Sequence, residues 1–272
     1  MKVFMEEETV EKTVLYTEHG AVALLTLNRP TALNSFVPAM HADLAEGLNR
    51  AEANPVIRAL VITGAGRGFC AGADLSSFDF TPGPGRVERA DPGPVIEKNF
   101  NPTVRRLQNF RMPTIAAVNG VAAGAGASLA MTCDIAIAAP SASFIQAFSK
   151  IGLIPDAGGT WFLPQRVGMA RAMALALTGD KLDAVRAKEW GMIWDVADDP
   201  VAAALALAQR LASMPTQAMI ATRKTMRSSM SNTLDQQLDM ERDTQSALGR
   251  THDYMEGVQA FLEKRPAKFS GN

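Results

Sequence analysis

Short apolar runs separated by polar or glycine-containing segments mark the first half of the chain. Val22 to Leu27, Leu60 to Thr63 and Ile115 to Val118 are such runs, and their length and aliphatic character predict β-strands. Ile115 to Val118 lacks polar alternation, which is typical of a strand covered on both faces. Thr9 to Tyr16 is also rich in strand-forming residues, and Glu18-His19-Gly20 separates it from the next run, so an N-terminal hairpin is predicted.

Helical spacing of apolar residues dominates the remaining segments. One helix is predicted from about Val37 to Ala53, with Ser35 as its N-cap, and another from Val95 to Arg111 with an interruption at Pro102. Asp199-Pro200 is a capped start, after which the pattern is helical throughout. The predicted C-terminal helices are Val201 to Ser213, Gln217 to Met230, Leu234 to Gly249 and Tyr254 to Lys264. Strands alternating with helices before that point predict the α/β class.

Two glycine-rich segments follow predicted strands. The first reads G-A-G-R-G-F-C-A-G-A-D-L from Gly64, and the second reads N-G-V-A-A-G-A-G-A-S-L-A from Asn119. Glycine lets one backbone approach another, or a ligand, where a Cβ would clash. The second segment is predicted to enter a buried helix, and a backbone N–H near a helix start attracts developing negative charge. The two turns therefore predict a pair of amide donors directed at one oxygen.

The bulk composition is that of an ordinary globular chain. Its 272 residues are 47% apolar and 20% charged, which suits one large domain or a domain with a helical appendage. Lys plus Arg is 27 and Asp plus Glu is 28, so the balance favours neither nucleic acid nor an anionic membrane as a partner. No signal-peptide pattern is found, and Val121 to Cys133 is too short to span a bilayer, so a cytoplasmic location is expected. Cys70 and Cys133 are expected to be reduced core residues.

Several other kinds of site are disfavoured. Gly64, Gly66 and Gly68 follow a strand, but the lysine of a phosphate-binding loop is missing and no helix is predicted directly after them. Ser128 is not in a nucleophile elbow, and the three histidines suggest no catalytic triad. No cluster of His, Cys and carboxylates has metal-ligand spacing, so no metal is predicted.

Two features leave alternatives open. Phe78 to Pro94 is rich in proline and glycine, which excludes it from the interior of a helix or strand. It is either a surface loop or, because it follows the first glycine-rich turn, a mobile lid over the acyl end of a ligand. Asp156 is predicted in a turn between a strand-like run and a helix start. It either caps that helix or takes part in chemistry.

The segments G-F-C-A-G-A-D-L from Gly68 and A-A-V-N-G-V-A-A-G-A-G-A-S-L-A-x-x-C-D from Ala116 resemble the crotonase (enoyl-CoA hydratase/isomerase) superfamily. The likeness runs from about Val10 to Phe269. It implies a crotonase-type spiral of repeated ββα units in residues 1–198, followed by a C-terminal helical trimerisation region in residues 199–272. A homotrimer or a hexamer, as a dimer of trimers, is implied with it.

The resemblance gives the two turns a role. In the family they form an oxyanion hole for the thioester oxygen of an acyl-CoA, and the matching donors here are the backbone N–H groups of Ala73 and Ala125. The usual second residue is glycine, but the contributing atom is the backbone nitrogen, so alanine is a mild departure. One such donor lowers a barrier by about 3 kcal/mol. CoA is then part of the substrate, and no separate cofactor is implied.

The resemblance also favours one reaction. Hydratases of the family use two glutamates, and Ser128 and Phe148 stand at the matching positions, which argues against hydration. Isomerases carry an aspartate at the place of Asp156 as a proton shuttle. Phe148, Ile154 and Trp161 are expected to raise its pKa by excluding solvent.

The second half of the chain is most similar to isomerases that convert a ring epoxide of phenylacetyl-CoA to an oxepin, relatives of the Δ3–Δ2 enoyl-CoA isomerases. Alternatives within the superfamily are an enoyl-CoA hydratase, a dienoyl-CoA isomerase or a dehalogenase. A non-catalytic RNA-binding relative is an alternative of another class, which the near-neutral charge disfavours.

A CoA site is implied by the same resemblance. It would use a cation after the hairpin, the turn after the first glycine-rich segment and the end of the last helix. The implied residues are Arg29, Ala71, Asp74, Leu75, Phe261 and Lys264. Lys264 would contact the 3′-phosphate of CoA, either in its own subunit or in a neighbouring one.

Overall fold

The computed structural model describes residues 12–272, and in this part of the chain the strands form two sheets. The strands are β1 (Val14–His19), β2 (Val22–Leu27), β3 (Ala59–Gly64), β4 (Gly68–Cys70), β5 (Thr114–Val118), β6 (Val121–Ala123), β7 (Ile135–Ala138), β8 (Ser143–Ile145), β9 (Lys181–Asp183) and β10 (Asp195–Val196). The larger sheet has the order β1-β2-β3-β5-β7-β10, and the smaller has the order β4-β6-β8-β9.

Helices surround both sheets. They are α1 (Pro38–Ala53), α2 (Arg86–Ala90), α3 (Gly93–Val95), α4 (Asn101–Gln108), α5 (Ala125–Thr132), α6 (Gly159–Val167), α7 (Met169–Thr178), α8 (Ala184–Glu189), α9 (Pro200–Ala212), α10 (Thr216–Ser228), α11 (Leu234–Leu248) and α12 (His252–Leu262). Short 3-10 helices occupy Pro30–Ala32, Leu75–Ser77 and Ala147–Ile151, and a π-helical turn, Ile96–Phe100, joins α3 to α4. The predicted α/β class is confirmed.

The chain passes repeatedly from the larger sheet to the smaller one. β3, β5 and β7 are parallel neighbours in the larger sheet, and each is followed directly by one of β4, β6 and β8 in the smaller. β4, β6 and β8 are also parallel to one another. Because parallel neighbours end on the same side of a sheet, the segments that leave β4, β6 and β8 come together in space.

The two faces of the larger sheet are covered by different elements. Along β2, Val22 and Leu24 pack with α9, whereas Leu25 and Leu27 belong to the main core together with α1. The α9 contacts are made by Ala204, Ala208 and Ala212, spaced four residues apart on one face of the helix. Burial on both faces explains the unbroken apolar runs of the central strands.

Several predicted elements are confirmed, with shifted boundaries. The hairpin forms, with β1 antiparallel to β2, but β1 extends through Glu18 and His19, which were predicted to separate the strands, and residues 9–11 lie outside the described residues. The C-terminal helices follow the predicted order, and the Asp199 side chain caps α9 by accepting from the N–H groups of Val201 and Ala202.

Three local predictions are wrong. Ser35 does not cap α1, because the chain enters that helix at Val37 and the Ser35 hydroxyl bonds the Asp74 carboxylate instead. The proline- and glycine-rich segment contains a short helix, α2, between its prolines. The run before Asp156, predicted to be strand-like, is not a strand. Its first residue, Ile151, is the last residue of the 3-10 helix Ala147–Ile151, and the residues that follow have no regular structure.

Within residues 12–272, no helix is both long and apolar enough to cross a membrane.

Candidate active site

Two backbone amides lie side by side where β4 and β6 end. Ala73 follows β4, and Ala125 is the first residue of α5 directly after β6. A Cβ built on Gly72 would lie 3.3 Å from the Ala125 nitrogen, so the two turns are in contact. Among residues 12–272, no acceptor is found for the N–H of either alanine. Both amides are therefore available to an oxygen in the same place.

Close backbone packing holds these turns together. A Cβ on Gly126 would lie only 2.1 Å from the carbonyl oxygen of Cys70, so only glycine lets α5 approach β4 this closely. Gly72 and Gly124 have φ values of +94° and +53°, in the region that side chains rarely adopt. The glycines of the two sequence motifs thus set the spacing between the two amides.

A cavity of about 480 Å³ opens beside the two amides. Its walls include Ala73, Ala125 and Asp156, and most of the remaining surface is apolar. Aromatic rings reach it from three parts of the chain: Phe78 and Phe80 from the proline- and glycine-rich segment, Phe100 from the π-helical turn and Phe148 from the segment after β8. This is the size and lining of a small-molecule site.

Asp156 lies in the cavity wall with a carboxyl oxygen, Oδ1, that is buried and has no hydrogen-bond partner among the described residues. Burial raises the pKa of this carboxyl to about 6. The helix-capping alternative is wrong, because α6 is entered through Gly158 and has no side-chain cap. A carboxyl group kept partly desolvated, with a pKa near neutral pH, suits proton transfer.

The surroundings of Asp156 differ in part from those expected. Phe148 is buried at 7% exposure and lines the cavity, as the sequence suggested. Ile154 and Trp161 are 76% and 45% exposed and are not part of the cavity wall, so they do not provide the expected apolar cover. Ile151 and Leu153 line the cavity in their place.

Four of the predicted CoA-binding residues lie at or near this cavity. Ala71 and Leu75 line it, and the Arg29 guanidinium forms an ion pair with Asp74, 3.0 Å between Nη1 and Oδ2. Hydrogen bonds from Ser76, Arg29 and Ser35 lower the pKa of Asp74 to about 2. Arg29 and Asp74 thus fix the turn after β4, and the Asp74 side chain caps the 3-10 helix Leu75–Ser77.

The other two predicted CoA-binding residues are not brought to the cavity by this chain. Phe261 is 82% exposed on the last turn of α12, and Lys264 is exposed just beyond it. Lys264 has a φ of +55°, and an ion pair between Arg265 and Glu256 follows directly. Their assignment stays a prediction.

One contact was missed by the sequence interpretation. The Ser128 hydroxyl, on α5, donates to the backbone carbonyl of Asp156 at 2.9 Å. The sequence carries no signal for this bond, because its two partners are 28 residues apart and the acceptor is a backbone atom. The aromatic lining from Phe78, Phe80 and Phe100 was missed for a similar reason.

Within residues 12–272 no group of His, Cys, Asp and Glu side chains has the geometry of a metal site. Cys70 and Cys133 are free and fully buried, and burial raises the pKa of both thiols to about 12.

Two unengaged amides and one buried carboxylate around an apolar cavity form an arrangement that suits stabilisation of an anion at a carbonyl compound. The chain belongs to the enoyl-CoA hydratase/isomerase family, whose model matches residues 17–272.

Proteins with different named activities are similar to this chain. The chain is 54% identical over 265 residues to the 1,2-epoxyphenylacetyl-CoA isomerase of Escherichia coli K12, covering 96% of this chain and 99% of the relative. It is 44% identical to a protein of Rhodobacter capsulatus named "Probable enoyl-CoA hydratase", covering 95% and 98%. The crystal structure of an enoyl-CoA hydratase from Polaromonas sp. JS666 superposes with a TM-score of 0.86 at 34% identity, covering 94% and 99%. The crotonase-type fold is thereby confirmed.

Proposed function

We propose that this protein is an acyl-CoA isomerase that converts 1,2-epoxyphenylacetyl-CoA to its oxepin isomer and also shifts double bonds in Δ3-enoyl-CoA substrates. The observation that carries the proposal is the buried carboxylate of Asp156, which shares one cavity with the amides of Ala73 and Ala125. The aromatic lining of the cavity supports a ring-containing acyl group.

The chemistry follows from these groups. The thioester oxygen accepts hydrogen bonds from the N–H groups of Ala73 and Ala125, and Asp156 takes a proton from the α-carbon. The C–H electron pair moves into an enolate that the two amides stabilise. Asp156 then returns the proton to a carbon farther along the conjugated system. In the epoxide substrate the carbon–carbon bond shared by the two rings also breaks, and its electron pair joins the conjugated double bonds of the seven-membered oxepin. One proton leaves and one returns, so the atom count is unchanged, as isomerisation requires.

Hydration is the less favoured reaction for this site. In place of the two glutamates of hydratases stand Ser128, whose hydroxyl is engaged with the Asp156 carbonyl, and Phe148, whose ring is buried. A hydroxyl already in use and a hydrocarbon ring have no charge with which to activate a water molecule. The hydratase activity named for some of the relatives is therefore not proposed for this chain.

CoA would be held as part of the substrate, without a separate cofactor. Arg29, Ala71, Asp74 and Leu75 would line the entrance near the adenine. Phe261 and Lys264 would reach the substrate of a neighbouring subunit in a homotrimer or hexamer, consistent with their exposure and their absence from the lining of this chain's own cavity. The near-zero net charge supports an enzyme without nucleic-acid or anionic-membrane partners, and a cytoplasmic location is proposed with it.

The test compares two reactions of the purified protein. We expect turnover of 1,2-epoxyphenylacetyl-CoA and of a Δ3-enoyl-CoA, each followed by chromatography of the CoA esters. Crotonyl-CoA, the hydratase substrate, should be turned over at least about 10²-fold more slowly. Hydration moves two protons, and the two glutamates that move them in hydratases are replaced here by residues without a carboxylate. Hydration of crotonyl-CoA at a rate close to that of isomerisation would overturn the proposal.

A further inference from the structure

The main chain around Asp156 has an unusual conformation. Ala157 has a φ of +49° and Gly158 a φ of +83°, so two left-handed residues follow the carboxylate directly. A left-handed residue with a side chain costs about 1 kcal/mol and persists only where its surroundings hold it. Ala157 is also buried at 4% exposure. The turn therefore needs contacts that keep it in place.

The carboxylate cannot provide those contacts. No hydrogen bond to another side chain is found for the Asp156 carboxyl among residues 12–272, and its Oδ1 is buried without a partner. The position of the acidic group is consequently set by the main chain that carries it. Whatever holds that main chain also sets the distance from the carboxylate to a substrate.

Ser128 makes the contact that holds it. Its hydroxyl donates to the Asp156 carbonyl at 2.9 Å, and the same carbonyl accepts the Gly159 N–H at 2.8 Å. Ser128 is fully buried. A Cβ on Gly159 would lie 2.9 Å from the Ser128 hydroxyl and 3.7 Å from Oε1 of Gln146, so the turn is packed tightly against both side chains.

The place of Ser128 in the fold gives this bond its importance. It lies on α5, one turn after Ala125, whose N–H is one of the two free amides. Its own N–H bonds the Gly124 carbonyl at 3.1 Å, which is the first hydrogen bond of the helix. A single rigid helical turn therefore connects the amide that faces the thioester oxygen with the turn that carries the carboxylate.

We propose that Ser128 is a positioning residue that fixes the Asp156 carboxylate relative to the Ala125 amide, so that the base meets the α-carbon of a bound thioester. The inference rests on the proposed function, in which these two groups act on one substrate. Misplacement of a catalytic group by about 1 Å reduces a rate by roughly 10²-fold. Removal of the Ser128 hydroxyl should act on the reaction rate far more than on substrate binding.

The test is Ser128→Ala in the full chain, since alanine suits a buried helical position. We expect kcat for isomerisation to fall by about 10- to 100-fold with KM changed less than about threefold. Uptake of deuterium at the α-carbon of phenylacetyl-CoA in heavy water should fall by a similar factor. Amide hydrogen exchange at Gly159, which shares the acceptor carbonyl, should become faster.

Thr132→Val is the matched control. The Thr132 hydroxyl is also buried on α5, but it donates to the Ser128 carbonyl within the helix and does not reach Asp156. This variant should lower the melting temperature to a similar extent while leaving kcat, deuterium uptake and Gly159 exchange unchanged. A purely structural role for Ser128 would make the two variants behave alike.

Each outcome bears on one proposal. Wild-type kcat, deuterium uptake and Gly159 exchange in Ser128→Ala would overturn the positioning role and leave the isomerase proposal standing. Deuterium uptake that depends on Ser128, in a wild-type protein that isomerises neither substrate, would support the positioning role and overturn the proposed function.

Discussion

The Oδ1 atom of Asp156 is buried and has no hydrogen-bond partner among the described residues. Burying a charged group in this way costs folding free energy. Carboxylates that serve the fold are bonded, as Asp253 is to the N–H groups of Ser270 and Gly271 near the C-terminus. The contrast supports the proposal that Asp156 serves the reaction and not the stability of the fold.

Asp156→Asn tests this at the level of one residue. The amide keeps the size of the side chain but cannot take up a proton, so kcat should fall by about 10²- to 10⁴-fold with substrate affinity nearly unchanged. Steady-state kinetics and ligand titration measure the two quantities. The melting temperature at neutral pH should equal or exceed that of the wild type, because the substitution removes a buried charge. Retained activity, or a loss explained by unfolding, would exclude Asp156 as the base.

The pH dependence of the wild type follows from the same group. The base is active only as the carboxylate, and its pKa is raised to about 6, so kcat/KM should decline roughly tenfold per pH unit below that value. Burial beside Phe36 and Phe100 lowers the pKa of His41 to about 4, so His41 stays neutral over the range in which Asp156 titrates. A pH–rate profile without a step near pH 6 would contradict the assignment.

The contribution of Asp156 to the free energy of unfolding should fall as the pH rises, whereas its contribution to kcat/KM should rise. The folded-state pKa of Asp156 lies above the ordinary value of 3.8, so the protonated form is favoured by folding. Its contribution to stability is therefore fully present below the unfolded pKa and is lost as the pH rises through about 6. Asp156→Asn should remove this dependence.

At the residue scale, the sequence led to the proposed site residues more directly than to their surroundings. The glycine-rich turns predicted a pair of amide donors, and the family resemblance then assigned them to Ala73 and Ala125 and favoured Asp156 as the proton shuttle. The Ser128 bond and the exposure of Ile154 and Trp161 depend on tertiary packing, which spacing along the chain does not contain.

At the element scale, long apolar patterns were interpreted correctly and short mixed segments were not. The central strand, turn and buried helix from Thr114 to Thr132 form as predicted, except that Val121–Ala123 is an additional strand, β6. Small apolar residues such as these suit a strand or a helix equally, so periodicity does not separate the two.

The proline- and glycine-rich segment shows the same limit. Prolines exclude helix only at and just before their own positions, and α2 fits between Gly85 and Asp91. Arg89 in α2 bonds the Asp79 carboxylate and the carbonyls of Thr81 and Pro84, which ties the segment to itself. Its contribution of Phe78 and Phe80 to the cavity keeps the lid hypothesis open to test.

At the scale of the whole molecule, the last helix raises the question of whether a second subunit completes the proposed CoA site. Lys264→Ala should raise KM for CoA esters by about 3- to 30-fold with little change in kcat, because a phosphate contact remote from the acyl group contributes mainly to binding. Lys268→Ala, which removes another exposed lysine of the same C-terminal segment, is the matched control and should leave KM unchanged. An unchanged KM in Lys264→Ala would remove this lysine from the CoA site.

The fold class was accessible from the sequence, whereas the strand order was not. Alternation of strands and helices indicates α/β architecture, but the pairing of β3 with β5 and of β5 with β7 joins segments far apart in the chain. The passage of successive strands into a second sheet is likewise a property of the folded chain. The family resemblance supplied that part of the prediction.

The covering of the larger sheet by α9 has a consequence for biosynthesis. Val22, Leu24, Val61 and Ile115 emerge from the ribosome long before Ala204, Ala208 and Ala212, the residues that shield them in the native protein. Until α9 has been translated, a nascent chain whose central strands have already paired presents one uncovered apolar face. During that interval the exposed apolar face is a binding surface for holding chaperones. The interval ends only when translation has passed α9, late in synthesis of the chain.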